Sequence, residues 1–243
     1  MTPPFVVERH ALVTSTMDVC RERAELGAPA GLVVVAEGQT AGRGRAGRAW
    51  FSPPGQSLYL SILLRPQLLP APAVHLTMAG AVAVAQTIET LIATAPSPRI
   101  KWPNDVLLVD KKVAGVLVES AFQGSQIEYA IVGIGLNVNT MFETAPEEVR
   151  RRAVSLQAVY GRQFDCEAVL HTLLERCAQW LFAEPDPALL CAYRARLDAL
   201  GQTVALQVGD MVVCGVAEDI RDDGALLLRT AQGVRAVCVG EIA

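Results

Sequence analysis

The chain has 243 residues, 51% hydrophobic and 19% charged, which is enough apolar content to bury a sizeable core and to exclude a disordered chain. Its formal net charge of −4 counts against a general nucleic-acid binder, whose surface must be basic to meet phosphates. Six cysteines without a CxxC pair and three histidines without metal-ligand spacing count against a disulfide framework, a zinc site and a histidine-based triad.

Residues 1–5 hold no basic stretch leading into an apolar one, so no secretory leader is expected, and scattered thiols fit a reducing cytoplasm. Ser15 or Thr14 can cap a helix over residues 16–26, ended by Gly27 and Pro29. A valine-rich buried strand is expected over 31–37, then a Gly/Arg loop, then a strand over 57–64. Residues 76–95 read as a long alanine-rich helix buried on several sides; its most apolar part, 76–85, is too short to span a bilayer. An extended piece over 99–102 is broken by Pro103. A hairpin is expected from 106–109 to 113–119, with Asp110, Lys111 and Lys112 at its tip, followed by a strand over 127–138. Residues 140–152 turn polar, as a loop plus a helix start, and amphipathic helices follow over 165–182 and 187–200. Beyond Gly201 the texture changes to short strands over 203–208, 211–218, 225–230 and 234–239, separated by Gly-Asp, Asp-Asp-Gly and Gln-Gly turns. That pattern predicts an α+β domain over residues 1–198 and a small β-barrel over 199–243.

The segment Gly42-Arg43-Gly44-Arg45-Ala46-Gly47-Arg48, hung off a strand, is the most informative feature. Glycine lets backbone approach a ligand, and arginine offers a permanent charge with a planar fork of donors for phosphate or carboxylate. Such runs also occur in RNA-binding tails, but those repeat and this one occurs once, before a Trp50-Phe51 pair able to pack. Lys101-Trp102-Pro103-Asn104-Asp105 packs a cation, an aromatic plate, an amide and a carboxylate around a rigid turn. Lys112-Val113-Ala114-Gly115 adds a lysine, and Gly133 and Gly135 alternate, so both clear one face of a strand for a ligand or accommodate a bulge. Ser15-Thr16 reads either as a helix cap or as a polar grip on a ligand. Glu119 shares a face with Gly115 and Leu117, and its role stays open.

Taken together, these ordered motifs resemble those of biotin–protein ligases, over a span from Ser15 to Gly240-Glu241-Ile242. The resemblance implies a mixed central sheet flanked by helices, like the class II synthetase and biotin/lipoate ligase catalytic domain, with a C-terminal SH3-like barrel. It implies a two-step reaction: the biotin carboxylate attacks the α-phosphate of Mg-ATP, giving biotinyl-5′-AMP, and a lysine of a biotin carboxyl carrier protein, of acetyl-CoA carboxylase or a related carboxylase, then takes the biotinyl group. Carboxylate and triphosphate repel each other, so cations must neutralise both; Arg43, Arg45 and Lys112 are the candidates, with Asp105 as the fourth catalytic group. By family likeness Lys112 reaches the reacting oxygens and Arg43 with Arg45 folds over the adenylate. Ser15, Thr16, Met17, Gln39, Gly42, Gly44 and Gly115 join them around biotin. Arg48, Trp50, Lys101, Asn104, Asp105 and Asn137 border the nucleotide. Asp105 either orients or deprotonates the incoming lysine or helps place Mg²⁺, and no other metal contact is expected.

Two departures from the family pattern stand out. Met17 replaces the usual asparagine after Ser-Thr, losing a polar side-chain contact to biotin, and Ala46 stands where many relatives are basic. The chain starts almost at the catalytic domain, so a monofunctional form without a DNA-binding module is expected, with no DNA and no membrane partner; a homodimer stays open. Two other readings compete: a lipoate–protein ligase or octanoyl transferase on the same scaffold, for which Cys20 is the cysteine nearest the pocket, and a non-catalytic RNA- or peptide-binding module.

Overall fold

A computed structural model describes residues 5–65, 73–124, 126–182 and 187–242. Residues 1–4, on which part of the leader expectation rested, lie outside them. The chain runs β1 (Val6–Val13), α1 (Thr16–Glu25), β2 (Leu32–Gln39), β3 (Leu58–Leu64), α2 (Ala73–Leu91), β4 (Arg99–Lys101), β5 (Asp105–Leu108), β6 (Lys111–Gln123), β7 (Gln126–Leu136), α3 (Glu147–Arg152), α4 (Leu156–Tyr160), α5 (Cys166–Leu181) and α6 (Pro187–Arg194). It closes with β8 (Thr203–Val208), β9 (Met211–Ile220), β10 (Leu226–Thr230), β11 (Gly233–Val237) and β12 (Glu241–Ile242).

The first seven strands form one mixed sheet in the order β1-β2-β3-β7-β6-β5-β4. Only β1 and β2 run parallel, joined by the α1 crossover. The sheet is covered on both faces, which is why β2 and β3 read as unbroken apolar runs. On β2, Val33 and Val35 face the large core under α2, whereas Leu32 and Val34 pack with Met17, Cys20 and Ala24 of α1. Ser15 caps α1, its hydroxyl accepting from the Met17 N–H at 3.3 Å. Asp165 caps α5 in the same way, accepting from the Glu167 N–H at 2.9 Å. The last five strands form a separate antiparallel sheet, β11-β10-β9-β8-β12. The α+β class and the C-terminal all-β unit agree with the sequence reading.

Several elements differ from it. β1 is absent from the sequence reading because Glu8, Arg9 and His10 interrupt its apolar residues; it is an edge strand whose side chains are only partly covered. α2 ends at Leu91 and α6 at Arg194, earlier than the helical pattern suggested. The polar stretch after 140 holds two short helices, α3 and α4. The β5–β6 turn falls at Val109 and Asp110, with φ of 46° and 61°, the mirror-image geometry that matches sheet twist. Lys112 therefore lies inside β6, opposite Leu107, and not at the hairpin tip.

Candidate functional site

Gly115 and Gly135 face each other across β6 and β7, and Leu117 faces Gly133. The glycines bare the sheet face on which α1 packs. A Cβ on Gly133 would lie 2.5 Å from Met17 Sδ, and one on Gly135 would lie 2.5 Å from the Trp50 indole. This denuded patch is the floor of a cavity of about 380 Å³, bounded by the N-terminus of α1, the Gly/Arg loop and α3.

At the α1 end a string of polar side chains is closed on itself. Ser61 Oγ donates to Thr16 Oγ1 at 2.8 Å, and the Thr16 N–H donates to Gln39 Oε1 at 2.9 Å. Gln39 Nε2 donates to Ser52 Oγ at 3.0 Å, and Ser52 Oγ to the Trp50 carbonyl at 3.0 Å. Gly42 sits against this string, where a Cβ would approach Gln39 Nε2 and Ser52 Oγ to 2.7 Å, so only glycine fits. Ser15 is a helix cap and also lines the cavity, so its two sequence readings are compatible.

The three arginines of the loop all line the cavity but take different partners. Arg43 turns to α1, its Nη1 lying 2.8 Å from Asp18 Oδ1, and the guanidinium beside Asp18 holds that carboxyl below its usual range. Arg45 Nη1 donates to Asn104 Oδ1 at 3.2 Å. Arg48 makes a two-pronged pair with Glu241 on β12, at 2.8 and 2.7 Å, tying the loop to the C-terminal sheet. A left-handed pair at Ala46 and Gly47, with φ of 54° and 71°, reverses the chain between Arg45 and Arg48. Lys112 Nζ lies 2.7 Å from Asp105 Oδ1 and 5.0 Å from the centre of the Trp50 ring.

Thirteen of the sixteen residues singled out in the sequence line this cavity: Ser15, Thr16, Met17, Gln39, Arg43, Gly44, Arg45, Arg48, Trp50, Asn104, Lys112, Gly115 and Asn137. Gly42 and Asp105 stand behind the wall, the latter reaching it through Lys112, and Lys101 lies apart on β4. Asn104 and Asn137 are partly committed to the backbone: Asn104 Nδ2 donates to the Val116 carbonyl at 2.9 Å, and Asn137 Nδ2 to that of Val154 at 3.1 Å. Trp102 is 2% exposed, and its indole donates to the carbonyl of Gly224, in the turn between β9 and β10, at 3.1 Å. Glu119, left open by the sequence, pairs with Arg21 and lies 3.6 Å from Arg43. Of the apolar side of the cavity, the sequence reading did not name Leu60; Phe51 was read only as able to pack, and Phe142, Val149 and Arg152 fall in the 140–152 stretch expected to order over the adenylate, without being singled out. Phe51 and Phe142 come within 6.2 Å of each other across more than ninety residues of chain, which no local pattern signals.

Among the described residues no group of three His, Cys, Asp or Glu is placed to hold a metal ion, and no helix is long and apolar enough to cross a membrane. Cys20 is fully buried, and burial with the nearby Glu8 pushes its thiol up to about 12, so it is held as an inert thiol.

A cavity with one apolar wall, a satisfied polar end and converging cations defines a binder of small molecules that are part apolar and part anionic. The chain matches known proteins. The model of the biotin/lipoate A/B protein ligase family matches residues 10–137, and that of the biotin protein ligase C-terminal domain matches 199–243. The biotin--[acetyl-CoA-carboxylase] ligase of Mycobacterium tuberculosis is 37% identical over 219 residues, covering 87% of this chain and 78% of that protein. The bifunctional ligase/repressor BirA of Bacillus subtilis is 34% identical over 237 residues, covering 96% of this chain and 72% of its own length. The biotin protein ligase of Aquifex aeolicus, solved with biotin and ATP, superposes with a TM-score of 0.84 at 31% identity, covering 98% and 97% of the two chains. The chain belongs to the biotin/lipoate A/B protein ligase family.

Proposed function

We propose that this protein uses ATP to attach biotin to a lysine of a biotin carboxyl carrier protein through biotinyl-5′-AMP. The observation that carries the reading is the convergence of Arg43, Arg45 and Lys112 on a cavity floored by Gly115 and Gly135. In this reading Ser15, Thr16 and Gln39 meet the polar head of biotin, and the patch bared by Gly115 and Gly133 takes its rings and chain. Met17 supplies sulfur against Gly133 in place of an amide. Lys112 and Arg45 offset the charge of the attacking carboxylate and the phosphate while the phosphorus centre is transferred, and Arg43 closes over the product.

The 2.7 Å pairing of Asp105 with Lys112 supports an orienting role: the carboxylate keeps the ammonium aimed. It leaves no carboxylate set for a resident metal, so magnesium is assigned to the nucleotide's phosphates and no step is built on a protein-held ion. Lys101 does not line the cavity, but its charge acts on Glu241, the partner of Arg48, and it is kept as a further contact for the phosphates. The acceptor is the carrier domain of acetyl-CoA carboxylase or a related carboxylase, and three exposed free thiols, Cys191, Cys214 and Cys238, suit a reducing cytoplasm. We assign the catalytic unit to residues 1–198 and the accessory β-unit to 199–243.

An octanoyl transferase needs a reactive cysteine or lysine; Cys20 is buried and its thiol is pushed up to about 12, which counts against the cysteine. An RNA-binding module needs a basic surface, yet the chain carries a formal net charge of −4. The test is mass spectrometry of a carrier domain incubated with the protein, Mg-ATP and either biotin or lipoate. One added biotinyl group is expected; modification with lipoate alone contradicts the reading.

A further inference from the structure

Arg43 sits between two glycines, Gly42 and Gly44, so its own backbone does little to fix where the guanidinium points. The structure fixes it from outside the loop. Asp18, in the first turn of α1, holds Nη1 with Oδ1 at 2.8 Å and Oδ2 at 2.9 Å. Glu119 on β6 stands 3.6 Å from Nη2, too far for a hydrogen bond, and Nη2 is shielded from solvent with no hydrogen-bond partner. Arg21 lies against the same two carboxylates, 3.3 Å from Asp18 and in contact with Glu119. Two arginines and two carboxylates thus make a neutral quartet at one edge of the cavity.

This quartet is poorly placed to serve stability. Its four side chains are between 30% and 39% exposed, and ion pairs at that exposure contribute about 0–1 kcal/mol. It is well placed to serve geometry. A buried guanidinium nitrogen with an unspent donor costs free energy until an oxygen reaches it. Resting on the biotinylation reading, we propose that Asp18 and Glu119, offset by Arg21, are positioning residues that hold Arg43 with its Nη2 reserved for a carboxylate or phosphate oxygen of the substrate. Glu119 thereby has a role linking two elements, and Arg21 keeps the second carboxylate from repelling that substrate.

The experiment is a double-mutant cycle on the full chain, read as biotin-dependent pyrophosphate release and as the half-life of the bound adenylate, with Tm recorded for every variant. Asp18→Asn is expected to lower kcat/KM for biotin by roughly tenfold, the loss of a charge-assisted contact that orients the reacting group. Asp18→Glu is expected to recover most of that loss. Glu119→Gln provides a second, independent arm with a smaller loss. Because Asp18 acts through Arg43, the Asp18→Asn/Arg43→Gln pair is expected to be no slower than Arg43→Gln alone. Multiplying losses in the pair, or an Asp18→Asn variant altered in Tm but not in kinetics, would overturn the positioning role while leaving the activity in place. A wild-type protein that releases no pyrophosphate with biotin overturns the functional reading, and the proposal with it.

Discussion

Gly135 shows how much of the site depends on atoms that are missing. Its would-be Cβ overlaps the Trp50 indole at 2.5 to 2.7 Å, and Gly115 opposite it clears Trp50 and the Lys112 stem. Gly135→Ala is expected to push the indole into the cavity and to raise the Kd for biotin by about tenfold or more, with little change in Tm, since the strand stays intact. Titration calorimetry checks it; unchanged affinity would mean that Trp50 yields freely. The alternation of Gly133 and Gly135 was legible in the sequence because glycine weakens a strand and needs a reason to be there. The direction of each arginine was not legible. Arg43, Arg45 and Arg48 are chemically equivalent in the sequence, and only the fold sends them to Asp18, Asn104 and Glu241.

Among the elements, β12 and the 102–104 turn join the C-terminal sheet to the site. The Trp102 indole donates to the Gly224 carbonyl, and the Tyr193 hydroxyl donates to the Pro103 carbonyl at 2.9 Å, so the turn carrying Asn104 is gripped from two sides. Trp102→Phe keeps a buried ring but loses volume and that N–H, and a stability loss of about 1–3 kcal/mol is expected from denaturant unfolding. Glu241 has the opposite exposure and a pH signature. Arg48 holds its carboxyl below the ordinary value of 4.5. A depressed folded pKa means that the pair's contribution is present above about pH 4.5 and is lost as pH falls through the lower folded value. The wild type is therefore expected to lose more stability than Glu241→Gln on acidification below that point, measured by Tm against pH. Parallel curves would show that the pair contributes nothing. Helix starts were legible where a side-chain cap sits beside an apolar period, as at Ser15 and Asp165. β1 was not, since its partner β2 is supplied by the crossover and its charged middle hides the strand.

For the molecule as a whole, the sequence named the polar and cationic residues of the cavity one by one, but the apolar side only as strand faces and the 140–152 stretch. Charged and glycine-rich motifs are local and chemically unusual. Phe51, Leu60, Phe142 and Val149 look like any core residue until the sheet and α3 bring them to one wall. The change from helices to short strands was legible near Gly201, because a 3.6-residue period gives way to short strands with tight turns. What unites both halves in the proposed reading is electrostatic: the cations of the Gly/Arg loop and one strand lysine line a cavity over a floor stripped of side chains, where two anions would be brought to react. The most direct test compares wild type with an Arg43→Gln/Arg45→Gln/Lys112→Gln triple variant in biotin-dependent pyrophosphate release, with circular dichroism to verify folding. The expected result is a folded variant slowed by roughly 10⁴-fold or more. A folded variant that releases pyrophosphate at the wild-type rate would contradict the account.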